Sequence, residues 1–132
     1  MDSSHIELNG SQIASLAWAG GTLRIGFSRA HIVKAMTGSR ELTRWWQAGT
    51  LVLDGVEGEP QLPHGPLVCA GGDIEENVFV HRDSIPIPFA SRGRIRCLLR
   101  FEGIEGPLDI GATAIRLELE GVPKYIEHIR PG

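Results

Sequence analysis

Apolar side chains recur at every second position in several stretches of this chain, the spacing of half-buried β-strands rather than of helices. The clearest stretch is residues 12–28. Leu16 and Trp18 alternate with small residues, Ala19-Gly20-Gly21-Thr22 follows, and Leu23, Ile25 and Phe27 then alternate with Arg24 and Gly26. Two glycines between alternating runs predict a two-residue hairpin turn, because both central positions can take positive φ without strain. Ala19 opposite Thr22 places Trp18 opposite Leu23 and Leu16 opposite Ile25. Four large apolar side chains then share one sheet face, as a half-buried sheet requires.

The remaining pattern is read the same way. Residues 31–36 predict a short strand and Thr37-Gly38-Ser39 a turn, with Ser39 placed as a cap. Residues 40–47 fit one or two helical turns, or the approach to a strand holding Trp45 and Trp46. Leu51-Val52-Leu53 reads as a strand ended by Asp54-Gly55. Residues 57–66 carry Gly58, Pro60, Pro63, Gly65 and Pro66 and predict the longest loop, a connection between two halves of one domain. A second hairpin is expected at Gly71-Gly72. Ile85, Ile87 and Phe89 share a face, while Pro86 and Pro88 remove two backbone donors, which predicts an edge strand or an extended connection.

Ile95, Cys97, Leu99 and Phe101 form one face of a strand, with Arg94, Arg96, Leu98 and Arg100 on the other. Leu108 and Ile110 fall in one phase and Ile115, Leu117 and Leu119 in the other. A bulge or corner near Gly111 would return both sets to the core. Gly121-Val122-Pro123 predicts a turn and residues 124–129 a last short strand. The expected fold is therefore all-β, an antiparallel β-sandwich or closed β-barrel of about eight to ten short strands with little or no helix. Residues 1–132 form one domain, with residues 1–8 a flexible or edge segment.

Composition supports this and narrows the partners. The 132 residues include 17 glycines and 8 prolines, enough for many tight turns. A net charge of −3 offers no field for a nucleic acid backbone, and no polybasic run suits an anionic lipid surface. No apolar run approaches the roughly 20 residues of a membrane-spanning helix. The N-terminal residues Met1-Asp2-Ser3-Ser4-His5 lack the basic start and apolar core of a signal peptide, so the expected location is the cytoplasm. Cys69 and Cys97 sit in apolar segments without CxxC spacing and are expected as buried free thiols.

Signatures of chemistry are sparse. His5, His31, His64, His81 and His128 are scattered, with neither HxH nor HExxH spacing. His81-Arg82-Asp83 spells a kinase catalytic-loop tripeptide, but the chain is too short for a kinase and lacks its other parts; Asp83-Ser84 is expected as a turn. There is no GxSxG, no GxxxxGK[ST] and no GxGxxG. Glu75 and Glu76 are adjacent, so a strand points them to opposite faces and they cannot act as one acid/base pair. No catalytic residue, metal ligand or cofactor is assigned.

Two features could serve contact. Arg92, Arg94, Arg96 and Arg100 share a strand face that could hold an anion or a partner. Arg116, Glu118 and Glu120 on a nearby strand point instead to an ion-paired, solvated face. Trp45 and Trp46 are adjacent, so one faces in and one out. An outward tryptophan beside Arg44 could stack on a sugar or anchor a partner, or pack under the loop of residues 57–66.

The run Trp46-Gln47-Ala48-Gly49-Thr50-Leu51, the segment Ile85-Pro86-Ile87-Pro88, the strand from Gly93 to Phe101, and residues 114–127 together resemble a family of small uncharacterised bacterial all-β proteins. The resemblance spans about half the chain and implies a fold and a bacterial setting. It implies no substrate and no catalytic residues. The first expectation is a non-catalytic cytoplasmic β module that self-associates and acts through protein contacts, using Arg44, Trp45, Trp46, Arg94, Arg96 and Arg100. The second is a small-ligand or carbohydrate binder using the barrel mouth or the Trp45/Trp46 region. The third is an enzyme whose site would draw on His31, His81, Asp83 and His128.

Overall fold

The computed structural model describes residues 3–36, 38 and 41–129. It contains eight strands: β1 (Ser3–Ala19), β2 (Thr22–Ala35), β3 (Leu42–Asp54), β4 (Leu67–Glu76), β5 (Phe79–Arg82), β6 (Ser84–Ile87), β7 (Ala90–Phe101) and β8 (Leu108–Ile129). Every pairing is antiparallel, in the order β5-β4-β7-β8-β3-β2-β1-β6. A further pairing of β4 with β1, at Gln12↔Val68 and Ile13↔Leu67, closes six of the strands into a ring. The all-β expectation holds, and residues 42–47 are strand rather than helix. Thr37 and Ser39 of the expected turn, and Arg40, lie outside the described residues.

The first hairpin has the expected register, with Ala19↔Thr22, Trp18↔Leu23 and Leu16↔Ile25 around Gly20-Gly21. Leu23 and Ile25 are fully buried, and Leu16 and Trp18 pack against the core they border. Ile95, Cys97, Leu99 and Phe101 line the core as their alternation requires. β6 lies at one end of the sheet order, as its prolines predict.

Several boundaries differ from expectation. The strands are not uniformly short: β1, β2, β3 and β8 run for 17, 14, 13 and 22 residues. Residues 3–8 are neither loose nor an edge. They pair with β2 and β6 on either side, and Ile6 and Leu8 are buried. Gly71-Gly72 is not a turn, since β4 runs through it opposite Arg100 and Leu99. Gly72 is needed there because a Cβ would lie 2.2 Å from the Leu98 carbonyl oxygen. The turn falls at Asn77-Val78, where Asn77 takes φ +55°, a conformation that asparagine tolerates. The phase change expected near Gly111 is present and lies at Thr113–Ala114. Arg92 faces Ala114 and Ile95 faces Ala112, so Gly93 and Arg94 together oppose Thr113. Asn77 clamps this bulge, donating to the Arg92 carbonyl at 3.1 Å and accepting from the Arg94 amide at 3.0 Å.

Gly121-Val122-Pro123 is a bulge inside β8 and not a turn. Trp46 faces Lys124 and Ala48 faces Glu120, leaving Gln47 alone opposite three residues. Similar irregularities sit beside it. Leu8-Asn9-Gly10-Ser11 interrupt the β1–β2 ladder between Glu7↔His31 and Gln12↔Arg29. The β2–β3 ladder shifts between Phe27↔Gly49 and Ala30↔Gln47. Together they form one line across four neighbouring strands. Bulges kink strands and raise their twist, so this line divides the molecule. On one side the strands close into the barrel. On the other, β6, β1, β2, β3 and β8 continue as an open five-stranded sheet.

Among the described residues two polar side chains are buried, Ser11 and Gln47, and both lie on this line. Ser11 Oγ donates to the Glu7 carbonyl at 2.6 Å and accepts from the His31 amide at 3.0 Å. Gln47 Nε2 donates to the carbonyls of Gly121 at 2.9 Å and Glu120 at 3.3 Å. Replacing Gln47 by Leu preserves volume but strands these two acceptors. An unmet buried polar group costs roughly 1–3 kcal/mol, and we expect Gln47→Leu to lower the unfolding free energy by about that amount, measured by denaturant titration. An unchanged midpoint would show that these carbonyls are satisfied by other groups.

Candidate functional site

The open sheet carries Arg44, Trp45 and Trp46, whereas Arg94, Arg96 and Arg100 lie on β7 of the barrel. The cross-strand rows of the open sheet fix which side chains share a face. Ile85, Ile6, Ile32, Trp45 and Tyr125 form one row, directed inward. Ser84, Glu7, His31, Trp46 and Lys124 form the next, directed outward. Trp45 therefore packs against the core and Trp46 faces out, as their adjacency requires. The loop of residues 55–66 does not cover either. It is tied at the far end of the barrel, where the Val56 amide donates to Gly21 O and the Glu57 amide to Gly111 O, both at 2.9 Å.

Neither tryptophan nor Arg44 is an idle binding group. The Arg29 guanidinium lies 4.4 Å and the Lys124 ammonium 4.8 Å from the Trp46 ring centroid. A sugar stacking on this ring must displace a cation. Arg44 bonds Glu127 through Nη1 and reaches Glu7 at 3.4 Å through Nη2, tying β8 to β1 across the outer face. His31 sits between these charges. Burial first, then the Arg44 charge, pushes its pKa below the usual histidine range, partly offset by Glu7.

On the inner face, Trp45 borders a cleft of about 360 Å³ lined by Ser4, Lys34, Met36, Thr43 and Ile87. Its indole N–H donates to Thr43 Oγ1 at 2.8 Å, and Lys34 Nζ lies 4.6 Å from the ring centroid. Tyr125 meets the ring edge-on at 5.3 Å. At the other end of the molecule the barrel interior is filled by side chains, with Leu62 of the long loop packed against them. A groove of about 470 Å³ remains between residues 60–63 and the β7–β8 turn.

The arginines of β7 are divided in role. Arg96 makes a two-pronged contact with Asp109 at 2.7 and 2.8 Å and reaches Glu75 at 3.4 Å. Its partners are thus Asp109 and Glu75, not Glu118 or Glu120; Arg116 bonds Asp54 and Glu118 instead. The contact holds the Asp109 carboxyl below its usual range and raises Arg96. Arg94 lines a polar cleft of about 610 Å³ with Glu57, Asn77 and Asp109. No ion pair joins Arg92, Arg94 or Arg100 to a described carboxylate. The face is mixed in sign and supplies no concentrated positive site.

The four residues considered for catalysis do not converge. His81 Nε2 lies 2.6 Å from Glu76 Oε2, which lowers the Glu76 pKa. His128 lies 3.6 Å from Glu41. Asp83, at φ +52°, is a structural clamp. Its amide donates to Gly72 O at 2.7 Å, its carbonyl accepts from the Leu8 amide at 3.0 Å, and its carboxylate accepts from the Asn9 amide at 2.9 Å. It thereby holds β4 to β1 where their ladder ends. Among the described residues no three of His, Cys, Asp and Glu gather as a metal site needs. Cys69 and Cys97 are free and buried, and burial pushes their thiols up to about 11 and about 12.

Sequence reasoning missed the exposed apolar edges. Val78, Phe79 and Val80 project from the β4–β5 hairpin, and Val122, Tyr125 and Ile126 from the end of β8. Placing turns at Gly71-Gly72 and Gly121 concealed both. Comparison with family models, with curated proteins and with solved structures finds no match to this chain. Among the described residues no helix is long and apolar enough to cross a membrane.

His31 gives this face a pH signature. Its folded pKa lies below the ordinary value of about 6.5, so the unfolded chain takes up the proton first as pH falls. Stability is full above that ordinary value and declines as pH drops through it toward the folded pKa. The depressed carboxyls Asp54, Glu76 and Asp109 lose stabilisation lower, below about pH 4. Thermal unfolding of His31→Asn should therefore show a shallower loss between these two ranges than the wild type. Parallel curves there would exclude His31 as the source.

Proposed function

We propose that this chain is a non-catalytic, cytoplasmic bacterial β module that acts through protein–protein contacts and assembles with copies of itself. One observation carries the reading. Eight large apolar side chains are exposed among the described residues, and six of them fall in two clusters at sheet edges: Val78, Phe79 and Val80, and Val122, Tyr125 and Ile126. Scattered exposed apolar residues need no explanation, whereas clusters on strand edges are sites where another chain adds. Phe79 at 65% and Val78 at 88% exposure have the character of interface anchors. The two free, buried thiols accord with a reducing compartment. Light scattering after size-exclusion chromatography, over a rising concentration series, should give a mass of two or more chains. A single-chain mass throughout would overturn the self-assembly.

The Trp45 cleft supports a second reading, a site for a small neutral ligand such as a sugar. It combines an aromatic wall, the Met36 and Ile87 side chains, and polar groups from Ser4, Thr43 and Lys34, the mix that small-molecule sites use. Titration with neutral mono- and disaccharides, followed by tryptophan emission, should then give saturable change that Trp45→Phe abolishes. A flat response in the wild type removes this reading.

A further inference from the structure

Beyond Leu117, whose amide donates to Phe89 O at 2.9 Å, β8 pairs with β3 on one side and with no described strand on the other. The free edge, residues 118–129, displays Val122, Tyr125 and Ile126 at 74%, 49% and 41% exposure. Unpaired N–H and C=O groups beside exposed apolar side chains are a template for an incoming strand. The other edge strands are poorer templates. β6 and β5 are each only four residues long, and β6 carries Pro86, whereas β8 runs on for six residues after Pro123.

The charges on this edge select the occupant. Lys124 lies opposite Trp46 and Glu127 opposite Arg44, both rows facing outward. Consider two copies of the edge, antiparallel, about a two-fold axis between Tyr125 and Ile126. Lys124 of each copy then faces Glu127 of the other, forming two identical ion pairs. The same register sets Tyr125 against Ile126 and Val122 against Ile129. An axis on Lys124 sets that lysine against itself, an axis on Ile126 sets Lys124 against His128, and an axis on Glu127 sets carboxylate against carboxylate. Only the first register matches opposite charges at both positions and brings the exposed apolar residues together.

We propose that two copies of this chain join along β8 in that register, continuing the open sheet across the two-fold axis. The proposal rests on the self-association reading and specifies its interface. Charge reversal tests it. Lys124→Glu and Glu127→Lys each turn two attractive contacts into like-charged ones, and each should raise the dimer dissociation constant about tenfold in sedimentation equilibrium. The double reversal should return the constant toward the wild-type value. Glu127 also bonds Arg44, so circular dichroism checks that its variants remain folded. A spin label on Ile126→Cys reads the geometry without altering charge, the native thiols being buried. Labels at residue 126 should show short-range coupling across the axis, and labels on Val78→Cys should not. A dimer indifferent to the single reversals, or lacking coupling at residue 126, overturns the β8 register while self-association stands. A wild-type monomer removes both.

Discussion

The architecture depends on satisfying backbone groups where four adjacent strands lose register together. A single bulge leaves one or two peptide groups without ladder partners, and inside a core each such group is costly. Here the irregularities in β1, β2, β3 and β8 are contiguous, so the orphaned groups accumulate along a line. Three polar side chains meet them. Ser11 bridges Glu7 and His31, Gln47 bonds Glu120 and Gly121, and the Asp83 carboxylate takes the Asn9 amide, while the Asp83 backbone bonds Leu8 and Gly72. Apolar residues at these positions would leave the bend without partners for its polar atoms. A straight ladder would need none of the three, but it would carry the same strands past the closed end without redirecting them.

The bend has a consequence for the edges of the sheet. β1 and β4 pair at only two positions, both below the line, and above it the ring cannot close. The strands still continue, because their inward rows remain apolar enough to bury. A closed barrel has no edges, whereas the sheet above the line has two. One is blunted by prolines in and beside β6 and the other is the outer side of β8. The barrel, with its filled interior, acts as a foundation. The Trp45 cleft, the Arg44 and Trp46 face and the free β8 edge all belong to the open half.

Strand content, the first hairpin and the inward sets of β7 are legible in the sequence because each depends on alternation within one strand. What alternation cannot supply is the neighbour. It placed Arg96 on an outward face correctly, yet offered Glu118 and Glu120 as partners, while Asp109 and Glu75 hold it. Glycine is ambiguous for a related reason. Gly20 and Gly21 turn the chain with positive φ and open space around them, whereas Gly72 is a glycine because Leu98 and Leu99 approach it. Both look alike in a sequence, and only the pairing distinguishes a turn from a close approach. Gln47 was equally hidden. Read alone it is an ordinary polar residue after two tryptophans, and its role exists only once Gly121 lies opposite it.

The β8 edge shows how one residue can answer opposing demands. Pro123 lacks an amide donor and Gly121 takes φ +71°, features that normally discourage strand addition. They weaken a ladder at Pro123 and favour the residues after it, where Lys124 and Glu127 stand three apart. On an uninterrupted strand those two side chains would point to opposite faces. The extra residue at Ile126, which lets Tyr125 face Trp45 and Glu127 face Arg44, puts both charges on the outer face. The same irregularity that packs Tyr125 against Trp45 thus makes the edge self-complementary in charge. An edge that discourages indiscriminate pairing in this way would still admit the one symmetric partner proposed for it.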